Sequence, residues 1–151
     1  MKKERTFVLI KPDAVQRGLV GHIISRFEQK GIKLVAMKLT SANKELVEKH
    51  YEIHRGKPFF EPTVKYITSS PVVAMILEGN NAIDMIRGMM GATDPQKADM
   101  GTIRGDFGQF IGKNIVHGSD GPDTAEFEMN LWFKPEEIAN YTLIDEDWLS
   151  E

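Results

Sequence analysis

Pro71-Val72-Val73-Ala74-Met75-Ile76-Leu77-Glu78 reads as the clearest buried strand in the chain, a short unbroken apolar run bounded by a proline and a carboxylate. Three further strands are expected around it. Thr6–Ile10 is an apolar run stopped by Lys11-Pro12, Lys33–Leu39 is β-branched and apolar, and Asn114–His117 delivers a histidine to a turn made by Gly118-Ser119-Asp120. Helical signals lie between them. Pro12 suits a first turn, predicting a short helix over Pro12–Arg17 ended by Gly18. Val20, Ile23, Ile24 and Phe27 then repeat at helical spacing, predicting a helix over Val20–Lys30 that stops at Gly31. Asn43 is expected to cap a helix carrying Leu46, Val47 and Tyr51, and Asn80 one carrying Ile83, Ile86 and Met90. Asp123-Thr124-Ala125-Glu126 resembles a capping box that opens a helix through Trp132.

The order is β-α-β-α-β-α-β-α. With four strands this predicts an α+β sandwich of the ferredoxin-like kind, with helices on one face of an antiparallel sheet; a small parallel doubly wound sheet is the alternative. Gly56-Lys57-Pro58 breaks the chain before Phe59-Phe60. Gly91 to Lys113 has little apolar periodicity, five glycines and a proline. A structureless stretch of that length in a compact domain is either functional or wrongly assigned. The tail with Trp148 and Leu149 is expected to pack on the body or on a neighbouring subunit. Residues 1–151 form one domain on this reading, with no internal repeat or low-complexity segment.

Composition narrows the function. Nineteen Lys and Arg against 22 Asp and Glu give a formal charge of -3, which argues against nucleic acid as the primary ligand. With no cysteine there is no disulfide, thiol nucleophile or thiolate metal site. Met1-Lys2-Lys3-Glu4-Arg5 runs directly into a strand without an apolar signal region, and no apolar run approaches the length of a membrane span. The expectation is a soluble, cytoplasmic protein with no membrane partner.

Several polar residues stand where polar groups are costly. Lys11 ends a buried strand, Arg87 shares the inward face of its helix with Ile83 and Met90, and Arg104 lies in Gly101-Thr102-Ile103-Arg104-Gly105-Asp106. Each alone reads most simply as a snorkelling or paired cation. Together with Lys57, Thr93 and a glycine-rich loop they suggest an anion site for phosphate. Glu128 borders the buried side of its helix near Leu131 and Trp132, where it needs a partner, or else it is a surface helix-dipole residue. Phe59-Phe60 is core, or exposes a ring for a base to stack on. His117, at a strand end, can serve as acid, base, ligand or nucleophile.

Other motifs fail. Gly108–Asn114 lacks the P-loop spacing, and Asp106-Phe107-Gly108 has no kinase elements around it. The histidines show no close ligand-type pairing, and His50 and His54, four apart, lack a third ligand and read as structural or solvated.

The segment Asn114-Ile115-Val116-His117-Gly118-Ser119-Asp120 resembles the active-site signature of nucleoside diphosphate kinases. Thr6–Gly21, Lys57-Pro58-Phe59-Phe60 and Gly101–Phe107 are similar to the family's other motifs, in its order and spacing, and together they span nearly the whole chain. The resemblance implies the ferredoxin-like fold. It also implies ping-pong transfer of the γ-phosphate from a nucleoside triphosphate, typically ATP, to a nucleoside diphosphate, with broad base specificity. His117 would carry the phosphate on Nδ1, and Glu128 and Ser119 would orient the imidazole. Lys11, Tyr51, Arg87, Thr93 and Arg104 would hold the phosphates, Lys11 and Asn114 the ribose, and Phe59 and Ile111 would wall the base. Mg2+ would arrive on the nucleotide phosphates without direct protein ligands. A homo-oligomer is implied, through the loop from Gly91, with the tail favouring a hexamer over a tetramer.

The chain departs from the family pattern at Thr63, where leucine is common, and at Lys57, where arginine is. Gly121-Pro122 and Met100 also differ. These bear on substrate preference and loop rigidity. A non-enzymatic nucleotide sensor and a protein histidine kinase are the competing functions. The filled catalytic positions and negative charge disfavour the sensor.

Overall fold

The computed structural model describes residues 2–150. The elements run β1 (Lys3–Ile10), α1 (Pro12–Gln16), α2 (Val20–Gln29), β2 (Lys33–Thr40), α3 (Lys44–His50), α4 (Phe60–Ile67), β3 (Val72–Asn80), α5 (Ala82–Met90), α6 (Ile103–Phe107), β4 (Val116–Gly118) and α7 (Pro122–Trp132). Three single turns of 3-10 helix cover Glu52–His54, Pro135–Glu137 and Glu146–Trp148. The strands form one sheet in the order β2-β3-β1-β4, with every neighbouring pair antiparallel. This is the ferredoxin-like α+β arrangement, and the parallel alternative is excluded.

Helices cover both faces of the sheet, where one was expected. On one face Val8, Ile10, Val73, Met75 and Leu77 meet Ala14 of α1, Ile23 and Phe27 of α2, Ile86 and Met90 of α5 and Ile103 of α6. On the other, Phe7, Leu9, Ala74 and Ile76 meet Val47 of α3, Val64 and Ile67 of α4 and Trp132 of α7. The reason is visible in β3, where Val72 to Leu77 are all buried. A strand solvated on one face alternates, whereas this one is apolar at every position because both its faces are covered.

Details at the helix ends differ from expectation. Asn43 caps α3 as foreseen, accepting the Leu46 N–H at 2.8 Å. Asn80 does not cap α5. It is the last residue of β3 and donates its amide to the Leu149 carbonyl, while Asn81 occupies the cap in a left-handed conformation (φ 49°). The Ile83 N–H is taken by the Glu4 carboxylate from β1, at 2.9 Å. The Asp123 capping box is also absent: α7 starts at Pro122, behind Gly121, without a side-chain cap. The Gly91–Lys113 stretch contains α6, begun by Thr102, whose hydroxyl accepts the Gly105 N–H. In the tail Leu149 packs over Gly31, but Trp148 is exposed. Among the described residues no helix is long and apolar enough to cross a membrane.

Candidate active site

Register positions the histidine. His117 lies opposite Leu9 on β1, so its side chain points to the face covered by α3 and α7. The chain enters β4 through a tight turn. The Val116 N–H donates to the Asn114 carbonyl at 2.8 Å around Ile115, which has φ 77°. This is a γ-turn of the rare, strained hand, and a β-branched residue holds it. Such backbone persists only when its surroundings enforce it. Here the Ile115 carbonyl accepts the Lys11 N–H at 2.9 Å, and Arg104 clamps the flanks. Its Nε, Nη1 and Nη2 donate to the carbonyls of Asn114 (3.2 Å), Gly91 (3.0 Å) and Val116 (2.8 Å). The Lys11 ammonium donates to Asn114 Oδ1 at 2.6 Å, and the Asn114 amide donates to the Thr93 carbonyl at 2.9 Å.

Behind His117 lies a buried polar network. His117 Nε2 is 2.9 and 3.0 Å from the two oxygens of Glu128, and the Ser119 hydroxyl donates to Glu128 Oε1 at 2.6 Å. Glu128 is buried on the α7 stripe it shares with Ala125 and Trp132, so it is the partnered carboxylate and not a surface helix-dipole residue. One turn on, the Trp132 indole N–H donates to His50 Nδ1 at 2.9 Å. The other His50 nitrogen, Nε2, is 3.3 Å from Glu128 Oε2 yet makes no hydrogen bond.

Burial and neighbouring cations set the protonation states. Burial lowers the pKa of His117, and the charges of Lys11, Arg104 and Arg87 lower it further, so the imidazole is neutral at pH 7. Burial brings Lys11 down to about 7, with Arg104 adding to the effect and Asp13 opposing it. Arg104 is lowered to about 10, mainly by burial, and remains charged. The Tyr51 hydroxyl is raised, first by burial and then by Glu128.

These groups open onto a cleft of about 570 Å³, a size suited to a small-molecule ligand. Its lining includes Lys11, Tyr51, Phe59, Arg87, Thr93, Arg104, Asn114, His117 and Glu128. Ser119 lies just behind, on Glu128. Arg87 is exposed and does not face inward as its spacing suggested; it reaches over the strand end, donating to the Gly118 carbonyl at 3.0 Å. Ile111 is 59% exposed and is not among the lining residues. Lys57 sits outside the lining too, beside His54 Nδ1 at 3.3 Å.

Sequence reasoning passed over His50, which is buried at the heart of the network while His54 lies at the cleft edge. A signal was available: His50 follows Val47 by three, so the two share the inward face of α3. His50, His117 and Glu128 offer ligating atoms within 4.8 Å of one another, a spacing a metal ion could use. An indole N–H only donates, however, so His50 Nδ1 is bare and Nε2 carries the proton of the neutral ring. A metal would have to displace that proton to bind His50 Nε2.

The family model for nucleoside diphosphate kinase matches residues 4–138. A nucleoside diphosphate kinase of Desulfitobacterium hafniense is 58% identical over 148 residues, covering 98% of this chain and 99% of the relative. One from Archaeoglobus fulgidus is 57% identical, covering 98% of each. Among solved structures, a halophilic nucleoside diphosphate kinase from Halobacterium salinarum in complex with CDP superposes with a TM-score of 0.97. It is 47% identical, covering 99% of this chain and 100% of that one. The chain belongs to the nucleoside diphosphate kinase family. It is an enzyme, a phosphotransferase of nucleotide metabolism.

Proposed function

We propose that the chain moves the γ-phosphate of a nucleoside triphosphate, typically ATP, to a nucleoside diphosphate by way of phosphorylated His117. One observation carries this reading. Glu128 takes the Nε2 side of the ring, which leaves Nδ1 as the nitrogen with a free lone pair in a cleft lined by Lys11, Arg87 and Arg104.

The Nδ1 lone pair attacks the γ-phosphorus, the bond to the β–γ bridging oxygen breaks, and its electron pair leaves with the nucleoside diphosphate. A second diphosphate binds in the same cleft, and its terminal oxygen takes the phosphoryl group from Nδ1, restoring the neutral ring. Throughout, the Nε2 proton stays against Glu128, which stabilises the positive charge that grows on the imidazole. Ser119 holds the carboxylate. Lys11, Tyr51, Arg87, Thr93 and Arg104 receive the phosphates, and three of the five Arg104 N–H donors are already committed to carbonyls. Lys11 and Asn114 meet the ribose. Phe59, half exposed, offers a ring on which any base can stack, in keeping with broad specificity. Ile111 is not among the residues that line the cleft and takes no part in this wall.

The oxygen donors on the cleft wall, Asp120 and Asp123, suit Mg2+, which would be held mainly by the nucleotide's phosphates and would neutralise their charge. We further propose one domain, working as a cytoplasmic homo-oligomer, with a hexamer favoured over a tetramer. The exposed Met37 and Leu39 on edge strand β2 support self-association. Sedimentation equilibrium would give the copy number.

Incubation with γ-labelled ATP and Mg2+ tests the reading. The chain is expected to take up an acid-labile, base-stable label that any added nucleoside diphosphate discharges. Absence of label on folded protein would sink it, and label passing only to other proteins would favour a protein histidine kinase. A second expected result concerns Lys11. With its pKa near 7 in the free protein it is largely neutral at pH 8, and bound phosphates restore its charge. Nucleotide binding at pH 8 should therefore take up roughly one proton per site. Calorimetry in buffers of different ionisation enthalpy reads this directly, and Lys11→Gln should abolish it.

A further inference from the structure

Helix α7 grips one imidazole from two sides. Trp132, a turn beyond Glu128, presents a donor to His50 Nδ1, while Glu128 presents acceptors toward His50 Nε2. Only one form of the ring meets both demands, the neutral tautomer bare at Nδ1 and protonated at Nε2. An imidazolium would set two donors face to face at the indole, and the opposite tautomer would do so while turning a lone pair toward the carboxylate. The ring is also wedged in place, with its centroid 4.5 Å from Tyr51 and 4.7 Å from His117.

The Nε2–H of His50 is buried, lies 3.3 Å from Glu128 Oε2, and is without a hydrogen-bond partner. A buried N–H left unpaired is costly, and one beside a carboxylate is a contact poised to form. Catalytic hydrogen bonds are often long before substrate binds.

We propose that His50 is a positioning residue whose Nε2–H, set by Trp132, holds the Glu128 carboxylate ionised and turned toward His117. The inference rests on His117 being the phosphate carrier. Its logic is one of competition. Burial raises the pKa of Glu128, and the hydrogen bond from the Ser119 hydroxyl opposes that rise; the Nε2–H of neutral His50, with Nε2 3.3 Å from Oε2, offers the carboxylate a second donor. The groups facing the carboxylate are His50 of α3 with Tyr51 beside it, His117 of β4, Ser119 and Asp120 after it, and Arg87 of α5. A protonated Glu128 could donate to His117 Nε2. That would move the imidazole proton to Nδ1 and remove the lone pair that attacks phosphorus. By keeping Glu128 charged, His50 keeps the reactive nitrogen of His117 free.

The test is single-turnover labelling of the full chain by γ-labelled ATP across pH, with wild type first. If wild type takes no label, it is the phosphate-carrier reading that fails. Given labelling, His50→Phe, which keeps a ring and loses the donor, should slow it about 10- to 100-fold at pH 7. It should also raise the acid limb of the rate profile by about one pH unit. His50→Gln, whose amide can present an N–H near the Nε2 position, should restore most of the rate and return the limb. Equal slowing by both variants with an unmoved acid limb would overturn the proposal in favour of simple packing. Nitrogen-15 NMR of the histidines supplies a check that needs no His50 variant. His50 should be protonated at Nε2 alone in wild type and become a tautomer mixture in Trp132→Phe. A proton on Nδ1 in wild type would be equally fatal.

Discussion

His117→Ala is expected to take no label from γ-labelled ATP and to transfer no phosphate to any nucleoside diphosphate, a loss on the order of 10⁴-fold or more. No other substitution in the cleft should match it. On the proposed mechanism the cations and Tyr51 stabilise charge that develops on the transferred group, and their removal would slow a step that still exists. Removing the nucleophile deletes the step. The variant should remain folded. His117 faces the cleft, its loss leaves no backbone group unpaired, and Glu128 keeps Ser119 and the adjacent His50 N–H. Nucleotide binding should persist too, because the phosphate-binding side chains are untouched. The measurement is therefore paired: loss of label alongside a wild-type melting curve and retained nucleotide affinity. Label on a different residue, discharged at the wild-type rate, would move the nucleophile elsewhere.

Arg104→Ala is expected to fail in a different way. From its glycine-rich segment this side chain reads as a phosphate ligand whose loss slows transfer and spares the fold. The structure gives it a second duty, since it is buried and bonds three backbone carbonyls from two separate segments. Charged hydrogen bonds to such groups contribute about 1.5–3 kcal/mol each, and water entering the vacated space recovers part of that. The net loss should be about 3–5 kcal/mol. In a chain of this length that lowers the melting temperature on the order of 10 °C. Arg104→Lys should recover little, because an ammonium cannot fan out to three carbonyls in a plane. Thermal unfolding monitored by circular dichroism checks both variants. A wild-type melting temperature for Arg104→Ala would show that the clamp contributes nothing.

Much of this was legible in the residues because burial leaves a mark. β1, β2 and β3 were found within a few residues since their apolar runs are continuous, and α2 and α5 since their apolar positions repeat at helical spacing. α4 was missed because Gly56-Lys57-Pro58 reads as a break with no helix assigned after it; Pro62 lies in the first turn of that helix, where its missing N–H costs nothing. α6 was missed because a single capped turn is too short to show a period. The site residues converge, apart from Ile111 and Lys57. Spacing left His50 as structural or solvated without showing where it packs, because its indole partner, Trp132, lies 82 residues along the chain.

The strained turn at Ile115 has a consequence for how the signature segment is read. In an unbroken strand, side chains three apart emerge on opposite faces. Asn114 and His117 nevertheless line the same cleft. The turn between them resets the alternation by half a period, so one short segment contributes both side chains to a single wall. The two intervening residues are thus a phase shifter, and their number matters as much as the identities of the residues they separate.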